Sequence, residues 1–229
     1  MFSWLFASAL AEEAAETAAE PTWLQKAFEK FAETPLTVWI ALAVLVALGA
    51  ILLTISRTSR KWDARMLSFG ALSVALSFVL SCIRLYRMPQ GGSVTPASML
   101  PIMLFSAAYG VGPGLLTGLV YGVLQYLQGG WFLNVWQFAL DYLLAFAALG
   151  LAGLSRNLPE KWGLYVAMVI AAVGRALSAT LAGMMFWETA PVASLVYNGT
   201  YLIPEIVICI VLAVIIAKPV MRIMKAATR

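Results

Sequence analysis

The chain has 229 residues, 62% apolar and 11% charged, with a formal net charge of +4 and no histidine. Soluble domains average roughly 45–50% apolar and 25% charged residues, so this composition, with a mean hydropathy of +0.88, describes an all-α integral membrane protein. The missing histidine removes His-based metal centres, Ser-His and Cys-His catalysis and His-ligated haem; no GxxxxGK[ST] loop is present, so the chain is no P-loop ATPase, and its dispersed basic flanks do not suit nucleic acid.

Residues 1–36 differ from the rest. They hold six of the eleven acidic residues (Glu12, Glu13, Glu16, Glu20, Glu29 and Glu33) and only Lys26 and Lys30 of the fifteen basic ones. The start MFSWLFASALA ends like a signal-peptide site but lacks a positive n-region. The alternative is an interfacial segment, with Trp23, Ala27, Phe28 and Phe31 on the apolar side of an amphipathic helix. A first span is predicted at Thr37 to Ser56, within a unit 37–60 that closes with a basic linker. Arg57, Arg60, Lys61 and Arg65 place that linker in the cytoplasm and the N-terminus outside.

The remaining unit, 61–229, opens with a span predicted at Met66 to Tyr86. Its Ala71 and Ala75 form a small-xxx-small pair, suited either to an internal helix contact or to an external partner. Pro89, Gly91, Gly92 and Pro96 then forbid a continuous helix, which predicts an ordered loop over 87–103 leading into a short span that ends near Tyr109. The next span, Val111 to Leu127, repeats Gly114, Gly118 and Gly122 every fourth residue, the pattern of a groove for close helix packing.

A helix carrying GGWFLNVWQFALDYL (129–143) follows, running to about Leu154. Asn134, Gln137 and Asp141 fall at i, i+3 and i+7, giving one polar face among Trp131, Trp136 and Tyr142. A carboxylate in a span costs about 2.5–3.5 kcal/mol at mid-bilayer and reads as functional. In an aromatic setting it suits a planar organic cation, through ion pairing and cation–π contact. Trp162 to Trp187 forms the next span, with Arg175 near its middle, where a salt bridge to a neighbouring helix is favoured over ligand contact. Glu188 to Ser194, with Pro191, is expected to be a loop.

The last span, Leu195 to Ala217, repeats the polar pattern with Asn198, Tyr201 and Glu205. Lys218, Arg222, Lys225 and Arg229 place its C-terminus in the cytoplasm. Only Arg84 and Arg87 offend that rule. At 1.5 Å per residue Asp141 lies about 12 Å below its entry surface and Glu205 about 10–15 Å. Both polar faces therefore share the outer half of the membrane beneath the PQGG loop. That one-sided arrangement favours ligand capture from outside over a midplane secondary transporter, an intramembrane acid–base enzyme, or carboxylates that merely neutralise Arg175. Cys82 and Cys209 sit in apolar runs as expected core residues, without a disulfide framework.

RMPQGGSVTPASMLPI (87–102), ALDYLLAFAALGLAG (139–153), AGMMFW (182–187) and SLVYNGTYLIPE (194–205) together resemble the thiamine-specific substrate-binding (S) component of energy-coupling factor transporters. The resemblance covers about residues 65–220. It implies a six-helix bundle, here with one additional N-terminal transmembrane helix, in the cell membrane. It implies capture of thiamine from outside and docking on a coupling protein with two ATPase subunits, which consume the ATP; the chain needs no cofactor of its own. Asp141 then stands where the family has a glutamate facing the ligand, followed by Tyr142. Trp187 corresponds to a ring-stacking tryptophan, Asn198 to a hydrogen-bonding asparagine and Trp131 to an aromatic position, with Gln137, Tyr197, Tyr201 and Glu205 completing the predicted site. Ala71 and Ala75 match the small-residue motif that meets the coupling protein. A family histidine falls at about Ala179 and a tyrosine at about Ala193. These departures, with the shorter acid, leave open a thiamine precursor or analogue, and an organic-cation secondary transporter is a further alternative.

Overall fold

The computed structural model describes residues 63–89 and 91–226. The predicted segment 1–36 and the extra span at 37–56 lie outside the described residues. Helix α1, Ala64–Cys82, begins at an Asp63 N-cap whose side chain accepts a 2.7 Å bond from the Met66 N–H. The helix is inverted relative to a soluble one. Gly70, Ser73, Ser77 and Ser81 are buried, while Leu67, Leu72, Leu76 and Val79 are exposed, because lipid solvates apolar side chains and small residues let helices approach. Ala71 and Ala75 lie on the outward face, so of the two roles considered for them the internal contact is not the one formed.

The stretch after α1 is not helical. Two-residue strands β1, Tyr86–Arg87, and β2, Ser93–Val94, pair antiparallel with Tyr86 opposite Val94 and Arg87 opposite Ser93. The expected ordered loop therefore contains a small hairpin in an otherwise helical fold. Its turn needs Gly91 and Gly92, with φ of 93° and 78°, a region that side chains disfavour.

Helix α2, Leu100–Tyr109, has all ten residues buried. A helix that is apolar all round belongs in an interior, and this one forms the centre of the bundle with Ile102, Met103, Leu149, Met168 and Leu202. Helix α3, Val111–Leu127, follows with the predicted bounds. A methyl on Gly118 would collide with the Phe146 carbonyl, and one on Gly122 with the Tyr142 carbonyl. The glycine groove thus holds the backbone of the next helix, as its spacing predicted.

That helix, α4, spans Val135–Asn157 and is irregular. An α-helical start at Val135–Phe138 gives way to π-helix at Ala139–Leu144, a short α segment at Ala145–Ala147 and 3-10 helix from Ala148 to Asn157. Helix α5 covers Gly163–Phe186. Helix α6, Pro191–Ala226, is longer than expected at 36 residues. Pro191 opens it instead of lying in a loop, since proline at the first helical position forfeits no internal hydrogen bond. Among the described residues α1, α4, α5 and α6 are long and apolar enough to cross a bilayer, and α2 and α3 are shorter apolar helices. Cys209 is buried as expected, whereas Cys82 is exposed at the end of α1.

Candidate functional site

At the end of the bundle where α4 and α6 begin, a cavity of about 500 Å³ opens beneath the hairpin, within the roughly 300–1,000 Å³ of small-molecule sites. Asp141 forms part of its wall, and the local sequence explains how it is presented. Asn134 caps α4, its side-chain oxygen accepting from the Trp136 and Gln137 N–H groups at 3.0 and 2.9 Å. Gln137, 1% exposed, then accepts from the Leu133 N–H at 3.2 Å through Oε1 and donates through Nε2 to Asp141 Oδ2 at 2.7 Å. The acid lies inside the π-helical turn, a widened geometry that recurs at functional sites. From α5, Ser178 Oγ donates to the Leu140 carbonyl at 2.7 Å and braces that turn.

Aromatic surface encloses the carboxylate. Trp187 Nε1 donates to Asp141 Oδ2 at 3.4 Å, and its ring meets Trp131 edge to face, with centroids 6.3 Å apart at 89°. Both tryptophans remain accessible, at 42% and 62%. The Tyr142 hydroxyl accepts from the Trp131 N–H at 2.9 Å, and the Tyr142 ring lies beside Phe138 and Tyr126. One aspartate thus sits against two indoles and a phenol, with no protein donor on Oδ1 among the described residues.

Helix α6 supplies the facing wall. Asn198 donates to the Ser194 carbonyl at 2.9 Å and accepts from the Tyr201 hydroxyl at 2.7 Å. That leaves one amide hydrogen and one oxygen lone pair for a ligand. The Tyr197 hydroxyl donates to the Gly91 carbonyl at 2.6 Å, tying the hairpin turn to α6. Gly92 packs flat on the Tyr201 ring, with no room for a side chain.

Eight of the nine residues predicted for the site line this cavity: Trp131, Gln137, Asp141, Tyr142, Trp187, Tyr197, Asn198 and Tyr201. Glu205 is not among the residues lining it. Its Oε1 accepts from Thr95 Oγ1 at 2.6 Å and Ser98 Oγ at 2.9 Å, so the polar spacing on α6 correctly gave Glu205 an inward face but not its partner, the strand-to-helix connection. Ala179 does line the cavity. Ala193 is exposed and outside it, because α6 starts at Pro191 and turns that residue away.

Arg175 also differs from expectation. Its guanidinium carbon lies 4.3 Å from the Phe146 ring centroid, and its Nη1 is buried without a hydrogen-bond partner. No salt bridge to a neighbouring helix forms among the described residues; the arginine lines the cavity and is held by a cation–π contact. Sequence reasoning also missed Gln125, Gln128, Thr189 and Ser194 in the wall. Their signal was weak, since polar residues near helix ends are ordinary.

Three comparisons bear on this site. A family model described as thiamine transporter protein (Thia_YuaJ) matches residues 67–225. The thiamine transporter ThiT of Bacillus subtilis (strain 168) is 32% identical, with 68% of this chain and 92% of that protein covered. A solved structure of ThiT from Listeria monocytogenes aligns with a TM-score of 0.59 at 23% identity, covering 69% of this chain and 96% of that one, a likeness of fold.

Proposed function

The chain belongs to the thiamine transporter protein family (Thia_YuaJ), and from that membership and its cavity we propose that it captures thiamine from outside the cell as the substrate-binding subunit of an ATP-driven energy-coupling factor transporter. Asp141 carries the reading. It is the only carboxylate lining the cavity, it has a fixed donor on one oxygen and the other oxygen open, and two indoles stand beside it. A thiazolium needs an anion and aromatic faces in a dry setting, and the aminopyrimidine edge needs an amide such as Asn198. The protein is a transport subunit and not an enzyme: nothing at the cavity pairs a nucleophile with a base.

The orientation follows from charge. The far ends of α4 and α6 carry Arg156 with Lys161 and Lys218 with Arg222, which the positive-inside rule assigns to the cytoplasm. The cavity then opens outward. Ala71 and Ala75, small and outward-facing on α1, are the surface we assign to the membrane-embedded coupling protein, whose two ATPase partners supply the ATP hydrolysis that this chain has no motif for. The six-helix bundle of the described residues would be joined by the additional helix at 37–56.

A second ligand reading has its own support. Ala179 presents only a methyl to the cavity where the family resemblance puts a histidine, which leaves room for a thiamine precursor or analogue. Calorimetry on the purified chain separates the two: thiamine is expected to bind more tightly than its aminopyrimidine fragment and to quench tryptophan fluorescence. No heat and no competition by either compound would end the thiamine assignment. Uptake that persists in cells lacking the coupling module would instead favour a secondary transporter.

A further inference from the structure

Arg84 and Arg87 break the charge rule that the other basic residues obey, and both line the cavity while remaining exposed. Arg87 sits on β1 opposite Ser93, and Arg84 stands in the connection from α1. Neither has a hydrogen-bond or ion-pair partner among the described residues. With Arg175 they set three guanidinium groups against the single carboxylate of Asp141 among the residues lining the cavity. A ligand carrying only a positive charge would leave that wall with an uncompensated excess of cations. A ligand that is cationic at one end and anionic at the other would balance it.

We propose that Arg84 and Arg87 form an anion subsite at the cavity rim that takes a phosphate group, so that the protein binds phosphate esters of the cation seated at Asp141. The inference rests on the thiamine reading above. A phosphate suits the position: guanidinium groups bind it through paired N–H donors, and exposed donors suit a strongly hydrated anion. The same chemistry would be met by a lipid headgroup phosphate at the outer surface, and the experiment separates these sources.

Thiamine and thiamine monophosphate are titrated into the full chain, unaltered and as Arg84→Gln/Arg87→Gln, in detergent and in nanodiscs of zwitterionic or anionic lipid. The double variant is expected to lose about tenfold in affinity for the monophosphate, the range for hydrogen bonds to a charged group, while its thiamine binding holds and reports that it is folded. That loss should shrink as salt is raised, because the pair is exposed. Arg84→Lys/Arg87→Lys should recover part of it. Equal effects on both ligands, or on neither, would overturn the subsite while leaving the thiamine reading intact. An effect that appears only in anionic lipid would overturn it in favour of a headgroup. Failure of the unaltered chain to bind thiamine would remove the reading and the subsite together.

Discussion

Gln137 Nε2 donates to Asp141 Oδ2 at 2.7 Å across the point where α4 passes from α- to π-helix. Because Gln137 Oε1 already accepts from the Leu133 N–H, the amide is fixed with its NH₂ towards the acid. One carboxylate oxygen is thereby committed to the protein and the other is left for a ligand. This arrangement preorganises the anion, so little ordering cost remains to be met when a cation arrives.

Removing the charge while keeping the shape tests that arrangement. Asp141→Asn should weaken thiamine binding by about 1–3 kcal/mol, the range for a hydrogen bond to a charged group or a buried partner left unmatched. Isothermal calorimetry measures it. An unchanged dissociation constant would mean that the aspartate serves only the fold.

Trp187 makes two separable contributions, a face and an N–H. Trp187→Phe keeps a face and should retain most of the affinity, since the 3.4 Å bond to Asp141 is long. Trp187→Ala should cost more, with about 0.5–1.5 kcal/mol attributable to aromatic contact beyond buried area. Fluorescence quenching by ligand should fall in both variants. Equal affinities for Phe and Ala would show that the ring is not stacked on ligand.

Glu205 is buried, 1% exposed, and holds Thr95 and Ser98. Glu205→Ala leaves those hydroxyls without an acceptor and should destabilise the protein by about 1–3 kcal/mol. Its loss of thiamine affinity should be smaller than that of Asp141→Asn. Thermal unfolding in detergent and calorimetry on the same preparation decide the matter, and the reverse ranking would return Glu205 to the ligand site.

The hairpin turn hangs on one hydroxyl. Tyr197→Phe deletes the 2.6 Å bond to the Gly91 carbonyl, a change of about 0.5–1.5 kcal/mol. Amides of residues 88–94 should exchange faster with deuterium, and bound thiamine should leave faster. Unaltered protection in that segment would show that the turn is held by the hairpin alone.

Close packing of α3 on α4 sets the position of the acid. Gly118→Leu drives a side chain into the Phe146 carbonyl and should cost about 1–3 kcal/mol or more through overpacking. Its thermal midpoint should fall with or without ligand. A midpoint equal to the parent would mean that the groove has slack.

The sequence by itself determined that the chain lives in a bilayer, because composition alone decides that solvent. It also determined the span order and eight of the nine site positions, since polar residues at helical spacing in apolar runs have few places to point. The bounds of α3 and its glycine groove were equally legible, for small residues every fourth position have one packing use. What only the tertiary structure decided is how those groups are shared out. The π-helical turn at Asp141 depends on backbone contacts from α3 and α5 that no local pattern encodes. Glu205 had the same spacing signal as Asp141, yet a loop more than a hundred residues away claimed it. Arg84 and Arg87 read as misplaced charges until the hairpin set them beside the cavity, because the value of an exposed cation depends on what the fold brings next to it.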